Sequence, residues 1–528
     1  EELLERVWPD SYVEEGVISV NIFMLRKSLA EGDSQTEFIK TVPKQGYRFV
    51  APVEATAEPS GFQRQLPTVD AASKSLAVLP FRWLSADDSG EYLGLGIADA
   101  LITRLSRIRN LVVRPTSSVR KYTNDTLDAV AIGQQLKVDI VLEGNIRRYG
   151  KKLRVSVQLV SVREATPLWA DRFDKQFTDI FTVEDSISEQ VAEALTLKLS
   201  GEEKRQLSKQ HTKSAAAYHL YLKGRYFWNK RTEESLMRGR EYFHKAIEID
   251  PDYALAYAGL ADSYLLGSSR QRPTEVMPKA KASAMRAIEI DDNLSEAHTS
   301  LARINMSFDW DWAGAEKEFH QALELNPNYA TAHQWYANYL LATGRTREAI
   351  REIKEALDLD PLSMSINSAV GWVHYMTREF DEAIAAYERA LEMDPTFVLA
   401  QREIGIVYEQ KGIYAKAVEA LQTAIKLSKV GLIEWGFLAH TYAASGSKEE
   451  ALKVVSQLEP RANKNPVLPQ VIAAIYLELA DKENALRWLE EAYINRASPM
   501  IWLKVDPWFD RLRQEDKFLV LLRRIGLE

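Results

Sequence analysis

The chain has 528 residues, of which 46% are hydrophobic and 27% charged, with a formal charge of -8 and no cysteine. This length leaves room for several domains with their own cores, and no run reaches the roughly 18 apolar residues of a membrane-spanning helix. The lack of cysteine excludes disulfides, thiolate catalysis and cysteine-held zinc or iron–sulfur clusters. The negative balance argues against a general nucleic-acid coat, while leaving one local basic surface free to bind DNA.

Leu3, Leu4, Val7 and Trp8 follow helical spacing up to Pro9, and residues 17–29 (VISVNIFMLRKSL) place Ile18, Ile22, Leu25 and Leu29 on one face of a second helix. Residues 37–50 (EFIKTVPKQGYRFV) alternate apolar and polar residues on either side of Pro43-Lys44-Gln45-Gly46, the pattern of a hairpin. Helix, turn, helix and basic hairpin make a winged helix. Its second helix would present Val20, Phe23, Met24 and Lys27 away from the core, and a major groove is wide enough to take it.

The motifs "LLERVW", "VNIFMLRKSL" and "FIKTVPKQGYRFV" resemble the OmpR/PhoB-type DNA-binding domain, and more narrowly the CadC-like regulators. The resemblance implies transcriptional control, with Ser19, Asn21, Phe23, Met24, Arg26 and Lys27 at or near the major groove of double-stranded DNA and Thr41, Pro43 and Lys44 on the wing. Family members often carry arginine where this chain has Phe23, Met24 and Pro43. Residues 1–53 hold 6 Lys or Arg against 9 Asp or Glu, so few ionic contacts anchor the domain and monomer binding is expected to be weak. A homodimer or tandem sites would restore affinity through effective concentration. The sequence opens at Glu1, without the family's N-terminal strands and first helix, and is expected to be a fragment with a truncated winged helix over 1–53.

Residues 54–74 (EATAEPSGFQRQLPTVDAASK) are small, polar and proline-bearing, as a linker is. CadC-like regulators usually place a membrane helix here; this chain has none, which makes a cytoplasmic protein the expectation.

An α/β sandwich domain is expected over 75–200. Buried-strand signals lie at 76–81 and 111–114, helix signals at 96–108, 127–136 and 182–199, and further strands at 140–142, 145–148 and 153–160. "LAVLPF", "GLGIADALITRLSRI", "VDIVLEGNIRR" and "LWADRFD" resemble the TolB N-terminal-like domain, which brings no assigned active site. Gly94-Leu95-Gly96 lacks the third glycine and the Lys-Ser/Thr of a phosphate loop and reads as a turn. Asp87, Asp88, Asp171 and Asp174 show no metal-binding spacing and read as solvated loop charges. Some similar architectures carry a cyclase domain; none is visible here, and neither a cofactor nor enzymatic activity is expected.

From residue 214 to 499 the sequence beats with a period of 34. Pro327, Pro361 and Pro395 fall at that interval, with Lys429 in the next slot. Small residues at Ala337, Gly371, Gly405 and Ala439 face large partners at Ile353, Tyr387, Leu421 and Val455, as close-packed helix pairs require. The pattern resembles the tetratricopeptide repeat, in about eight copies. Asp309-Trp310-Asp311-Trp312 reads as a loop packing on the next repeat, His333, His374 and His440 as packing or surface residues, and residues 500–528 as capping helices for the last repeat.

The whole is expected to be a mainly α, multidomain chain ending in an α-solenoid. By phase, Arg303, Gln334, Asn338, Trp372, Tyr375 and Arg402 should line its concave face and hold a protein or peptide. The functional expectation is a one-component transcriptional regulator whose repeats receive a signal or partner. The alternative is a protein-interaction scaffold with a vestigial winged helix.

Overall fold

The computed structural model describes residues 39–42, 46–49, 74–85, 91–123, 127–150, 152–176 and, apart from 177–179, 196, 198, 208, 210, 231, 268–270 and 429–430, residues 180–528. Residues 1–70 and 71–528 are two separate compact units. In the first, β1 (Ile39–Val42) and β2 (Gly46–Phe49) pair antiparallel, with Ile39 opposite Phe49 and Val42 opposite Gly46. Ile39 is buried and Lys40 exposed, the alternation of a strand with one covered face. The two helices expected before residue 30 and the linker at 54–73 lie outside the described residues.

The second unit begins with a mixed sheet in the order β5-β3-β6-β7-β8, with β4 (Arg82–Trp83) also on β6. β3 (Lys74–Val78) runs parallel to both β5 (Leu111–Val113) and β6 (Ile140–Tyr149). Its Leu76, Ala77 and Val78 are fully buried, as a central parallel strand requires. β7 (Lys152–Ser161) and β8 (Thr166–Gln176) complete an antiparallel meander. The two short segments expected at 140–142 and 145–148 are one continuous strand. β8 went unread because its side chains are mostly exposed, Phe173 being its one buried residue. Asp171 and Asp174 lie on this strand and not in a loop, and Arg154 donates to both Asp174 oxygens at 2.7 and 3.0 Å.

Helices α1 (Glu91–Leu105), α2 (Ala129–Leu136) and α3 (Ile180–Ala194) pack with this sheet, and α4 (Gly201–Leu207) follows. Gly94 and Gly96 lie inside α1 and form no turn. A Cβ at Gly94 would sit 2.0 Å from the Phe81 carbonyl oxygen, so glycine permits helix and strand to touch through their backbones.

Eight helical hairpins follow among the described residues, here paired as first and second helix. They are α5 (Ala215–Asn229) with α6 (Glu233–Ile249), α7 (Ala254–Gly267) with α8 (Pro273–Ile290), α9 (Ser295–Ile304) with α10 (Trp312–Leu325), and α11 (Ala330–Ala342) with α12 (Thr346–Leu359). Then come α13 (Met364–Met376) with α14 (Phe380–Met393), α15 (Val398–Gln410) with α16 (Tyr414–Leu427), α17 (Leu432–Ala444) with α18 (Lys448–Leu458), and α19 (Leu468–Glu478) with α20 (Lys482–Ile494).

A recurring side-chain bond fixes the turn before four of the first helices. His298, His333, Asn367 and Gln401 each donate to the carbonyl six residues back, at 2.9, 2.9, 3.0 and 3.3 Å. Each satisfies a carbonyl of the turn between two hairpins, a backbone acceptor outside any helix. Within the hairpins, a Cβ on Gly371 would fall 2.5 Å from the Tyr387 ring, and one on Gly405 2.8 Å from Leu421.

The α/β part is welded to the repeats. One core runs from Leu76, Leu101 and Leu142 into Leu222, Phe243 and Leu260. Arg114 donates to the carbonyls of Leu136 and Lys137 at the end of α2 and to those of Asp358 and Leu359 at the end of α12, at 2.7–3.1 Å. A guanidinium there meets the negative ends of two helix dipoles. Asp99 of α1 takes a bidentate pair from Arg225 of α5 at 2.7 and 3.0 Å.

Residues 498–528 cover the last hairpin, with Arg524 bidentate to Glu490 at 2.7 and 2.8 Å, but not as the expected pair of helices. They form two short 3-10 stretches, Ser498–Trp502 and Pro507–Leu512, and one α-helix, α21 (Asp516–Arg524). The segment folds back over earlier repeats. Trp502 packs edge-on to Trp372 with ring centres 5.8 Å apart, Trp508 stacks on His440 at 4.1 Å, and Arg378 pairs with Asp510 at 2.8 Å. Trp312 does pack on the next repeat, at Tyr339, but its indole also donates to the Ile525 carbonyl at 2.6 Å. Trp310 stacks on Tyr493 at 5.1 Å, and Arg496 donates to the Phe308 carbonyl at 2.9 Å. The third hairpin is thus tied to the last one.

Gly371→Val forces the Tyr387 ring out of its site and is expected to cost about 1–3 kcal/mol, the range for overpacking a dense core. Calorimetric unfolding of parent and variant checks it.

Candidate functional site

Two places carry the expected binding residues. On the wing, Thr41 lies in β1 opposite Tyr47. Ser19, Asn21, Phe23, Met24, Arg26 and Lys27, and with them Pro43 and Lys44, lie outside the described residues.

The second place is the inner face of the repeats, where first helices α9, α11, α13, α15, α17 and α19 enclose a cavity of about 440 Å³. The lining follows the repeat phase. Asn338, Trp372 and Ile406 are spaced by 34 residues, as are Gln334, Ser368 and Arg402 one turn earlier. Arg303 precedes Asn338 by 35, and the π-helical turn at Asn305–Asp309 takes up the extra residue. All six expected groove residues, Arg303, Gln334, Asn338, Trp372, Tyr375 and Arg402, line this one cavity. Pro499, Trp502, Asp506 and Trp508 close one side of it. Sequence reading missed these four because they belong to no repeat; two tryptophans spaced by a proline were the available signal.

Charge is unevenly paired around the cavity. Arg402 lies 3.4 Å from Glu434 and 3.5 Å from Glu403, and its guanidinium is 5.1 Å from the centre of the Phe437 ring. Burial pushes the Glu403 carboxyl up to about 7 against the pull of Arg402. Burial likewise raises Asp506 to about 6, although the Trp508 amide donates to it at 3.0 Å. Nearby, burial alone would lower the His440 pKa, but Glu409 at 3.0 Å outweighs it and raises it. Thr441 donates to the same Glu409 at 2.6 Å and the Trp508 indole donates to it at 3.2 Å. His333 and His374 also sit on carboxylates, Glu352 and Glu379, each at 2.7 Å. These histidines are structural.

Arg303 differs. No carboxylate among the described residues pairs with it, its Nη1 is out of solvent contact without a protein partner, and burial pushes its pKa down to about 10. It therefore stays charged at neutral pH. Among the described residues no cluster of three or more His, Asp or Glu side chains could hold a metal ion, and no helix is long and apolar enough to cross a membrane.

Comparison with known proteins places these parts. Residues 1–49 match the C-terminal domain of transcriptional regulatory proteins, the OmpR/PhoB-type DNA-binding domain. Residues 72–190 match the second domain of HilA/YgeH-like transcriptional regulators, and 311–365 and 369–431 match tetratricopeptide repeats. The chain is similar to the HilA/CadC-like regulators. It is 27% identical to the transcriptional regulator HilA of Salmonella typhimurium over 383 residues, 71% of this chain and 65% of that protein. It is 32% identical to putative adenylate cyclase 3 of Rhizobium meliloti over 256 residues, 48% of this chain and 43% of that protein. With the Escherichia coli transcriptional activator CadC it shares 35% identity over 89 residues, 15% of this chain and 17% of that protein. The chain thus spans less than two thirds of the length of each of these relatives.

A carboxyl raised in the native state binds a proton that the unfolded chain has lost. Its contribution is full below the ordinary value of 4.5 and is lost as pH rises through about 7. Glu403→Gln is therefore expected to melt higher than the parent by a few degrees at about pH 8, with the gap closing toward about pH 4.5. Paired melting curves across that range check it, and a variant that melts lower than the parent at pH 8 would overturn the assignment.

Proposed function

We propose that this chain belongs to a DNA-binding transcriptional regulator whose body, residues 71–528, receives a signal or a partner. The observation that carries the reading is the adjacency, in one chain, of an OmpR/PhoB-type domain at 1–49 and a HilA/YgeH second domain at 72–190. In this reading Ser19, Asn21, Phe23, Met24, Arg26 and Lys27 lie along the major groove, while Thr41 and Lys44 meet the sugar-phosphate backbone. Phosphate contacts hold register and base edges supply sequence preference. With few basic residues in the head, a homodimer or tandem operators strengthen the attachment. The inner face of the repeats takes the input, and binding there shifts which DNA-bound arrangement is populated.

The protein acts in the cytoplasm, where its promoters are. Cyclase activity belongs by name to the Rhizobium relative, of which this chain spans 43%, and forms no part of this reading.

Deletion of the gene followed by transcript mapping should reveal a set of promoters whose output changes. Complementation with Lys27→Ala or Lys44→Ala should restore less of that output than the parent gene, at equal protein level. Full restoration by both variants would remove the assigned DNA contacts, and an unchanged transcript set would leave the scaffold reading in their place.

A further inference from the structure

The inner cavity is lined by six buried polar atoms that no group among the described residues satisfies: Arg303 Nη1, Arg402 Nε, Ser368 Oγ, Tyr375 Oη, Asn338 Oδ1 and Gln470 Oε1. Native interiors leave few such groups unpaired, and six around one space mark a place where something else supplies the partners. Four of the six are donors or hydroxyls that can donate, which calls for an acceptor-rich ligand.

The two guanidiniums are not equivalent. Arg402 already has Glu434 and Glu403 within 3.5 Å. Arg303 has the Trp335 ring, 5.7 Å from its guanidinium carbon, and no acid among the described residues. A half-buried cation with one nitrogen kept from water and no counter-ion is costly, and a bound anion relieves that cost. The rest of the wall is aromatic: Trp372, Phe437, Trp502 and Trp508. Such surfaces take flat or aliphatic groups.

Size and closure separate a small molecule from a peptide. About 440 Å³ lies within the range of small-molecule sites. The turn from Pro499 to Trp508 lies against the inner face at Trp372 and His440, where an extended peptide running along the repeats would have to pass.

We propose that this cavity binds a small carboxylic acid with an aromatic or aliphatic body, its carboxylate on Arg303 and its body against the wall that Trp372 and Trp502 form together. The inference rests on the reading that the repeats receive the input, and it names the chemical class of that input.

The test is calorimetric titration of the full chain with phenylacetate, indole-3-acetate and octanoate, each beside its neutral amide. At least one acid should bind about tenfold or more tightly than its amide, a difference of about 1.4 kcal/mol. Arg303→Gln should erase that ratio, and Trp372→Ala should weaken acid and amide alike. Thermal melts confirm that both variants are folded, and Arg303→Lys, which keeps the charge, should recover part of the preference. Equal binding of acid and amide, a preference that survives Arg303→Gln, or no binding by any of the three acids at about 10 mM overturns the proposal. So does binding by an acetylated tripeptide when all three small acids fail, which would return the site to a peptide. Transcript output in the gene deletion does not depend on these titrations, so either result can fail without the other.

Discussion

The inner face exists because certain helix pairs have no room for a methyl group between them. Gly371 lies against the Tyr387 ring, Gly405 against Leu421 and Gly224 against Phe243, with gaps that a Cβ would close to 2.5–2.8 Å. Holding each first helix this close to its second turns its opposite side inward, and repetition brings Asn338, Trp372 and Ile406 into one row. The carbonyl ties from His298, His333, Asn367 and Gln401 keep the turn between repeats constant, so the row does not drift. The cavity, its closure by the C-terminal turns and the lodging of the α/β part against the first four hairpins all depend on that regularity.

The body treats buried charge in two ways. Where α/β part and repeats meet, three buried charged groups are fully partnered: Arg114 on four carbonyl oxygens of two helix ends, Asp99 on Arg225 and Thr116, Asp360 on Ser117 and Ser118. Removing one partner from such a set strands the other, so these sets make the α/β part and the repeats one body. Around the cavity the pairing stops short at Arg303.

The 34-residue period was readable because it comes from contacts between residues close in sequence: a turn proline, a small residue and its large partner in the same hairpin. Phase alone then assigned Arg303 through Arg402 to one lining, and the structure brings those six together. Contacts across about 200 residues were not readable. Nothing local in the Asp309–Trp312 stretch says that Trp310 will meet Tyr493, or that Trp312 will reach Ile525. The apolar residues of 500–528 read as a cap, and α21 does pair with the last hairpin through Arg524 and Glu490; that Trp502 and Trp508 also reach back to Trp372 and His440 had no local signal. Gly94 was misplaced for a related reason, since glycine in a turn and glycine under a strand look alike until the strand is in place. The DNA contacts proposed for the head came from motif likeness, with spacing alone adding the outward face of Phe23, Met24 and Lys27; all of them but Thr41 lie outside the described residues.

The most direct test of a DNA-reading head on a ligand-receiving body is the duplex affinity of the full-length gene product, measured by fluorescence anisotropy over a series of salt concentrations on a mapped promoter and on its scrambled counterpart. The expected result is a logarithm of affinity that falls linearly with the logarithm of salt, with the promoter preferred at every point. A response flat in salt, with both duplexes bound equally or not at all, would contradict it.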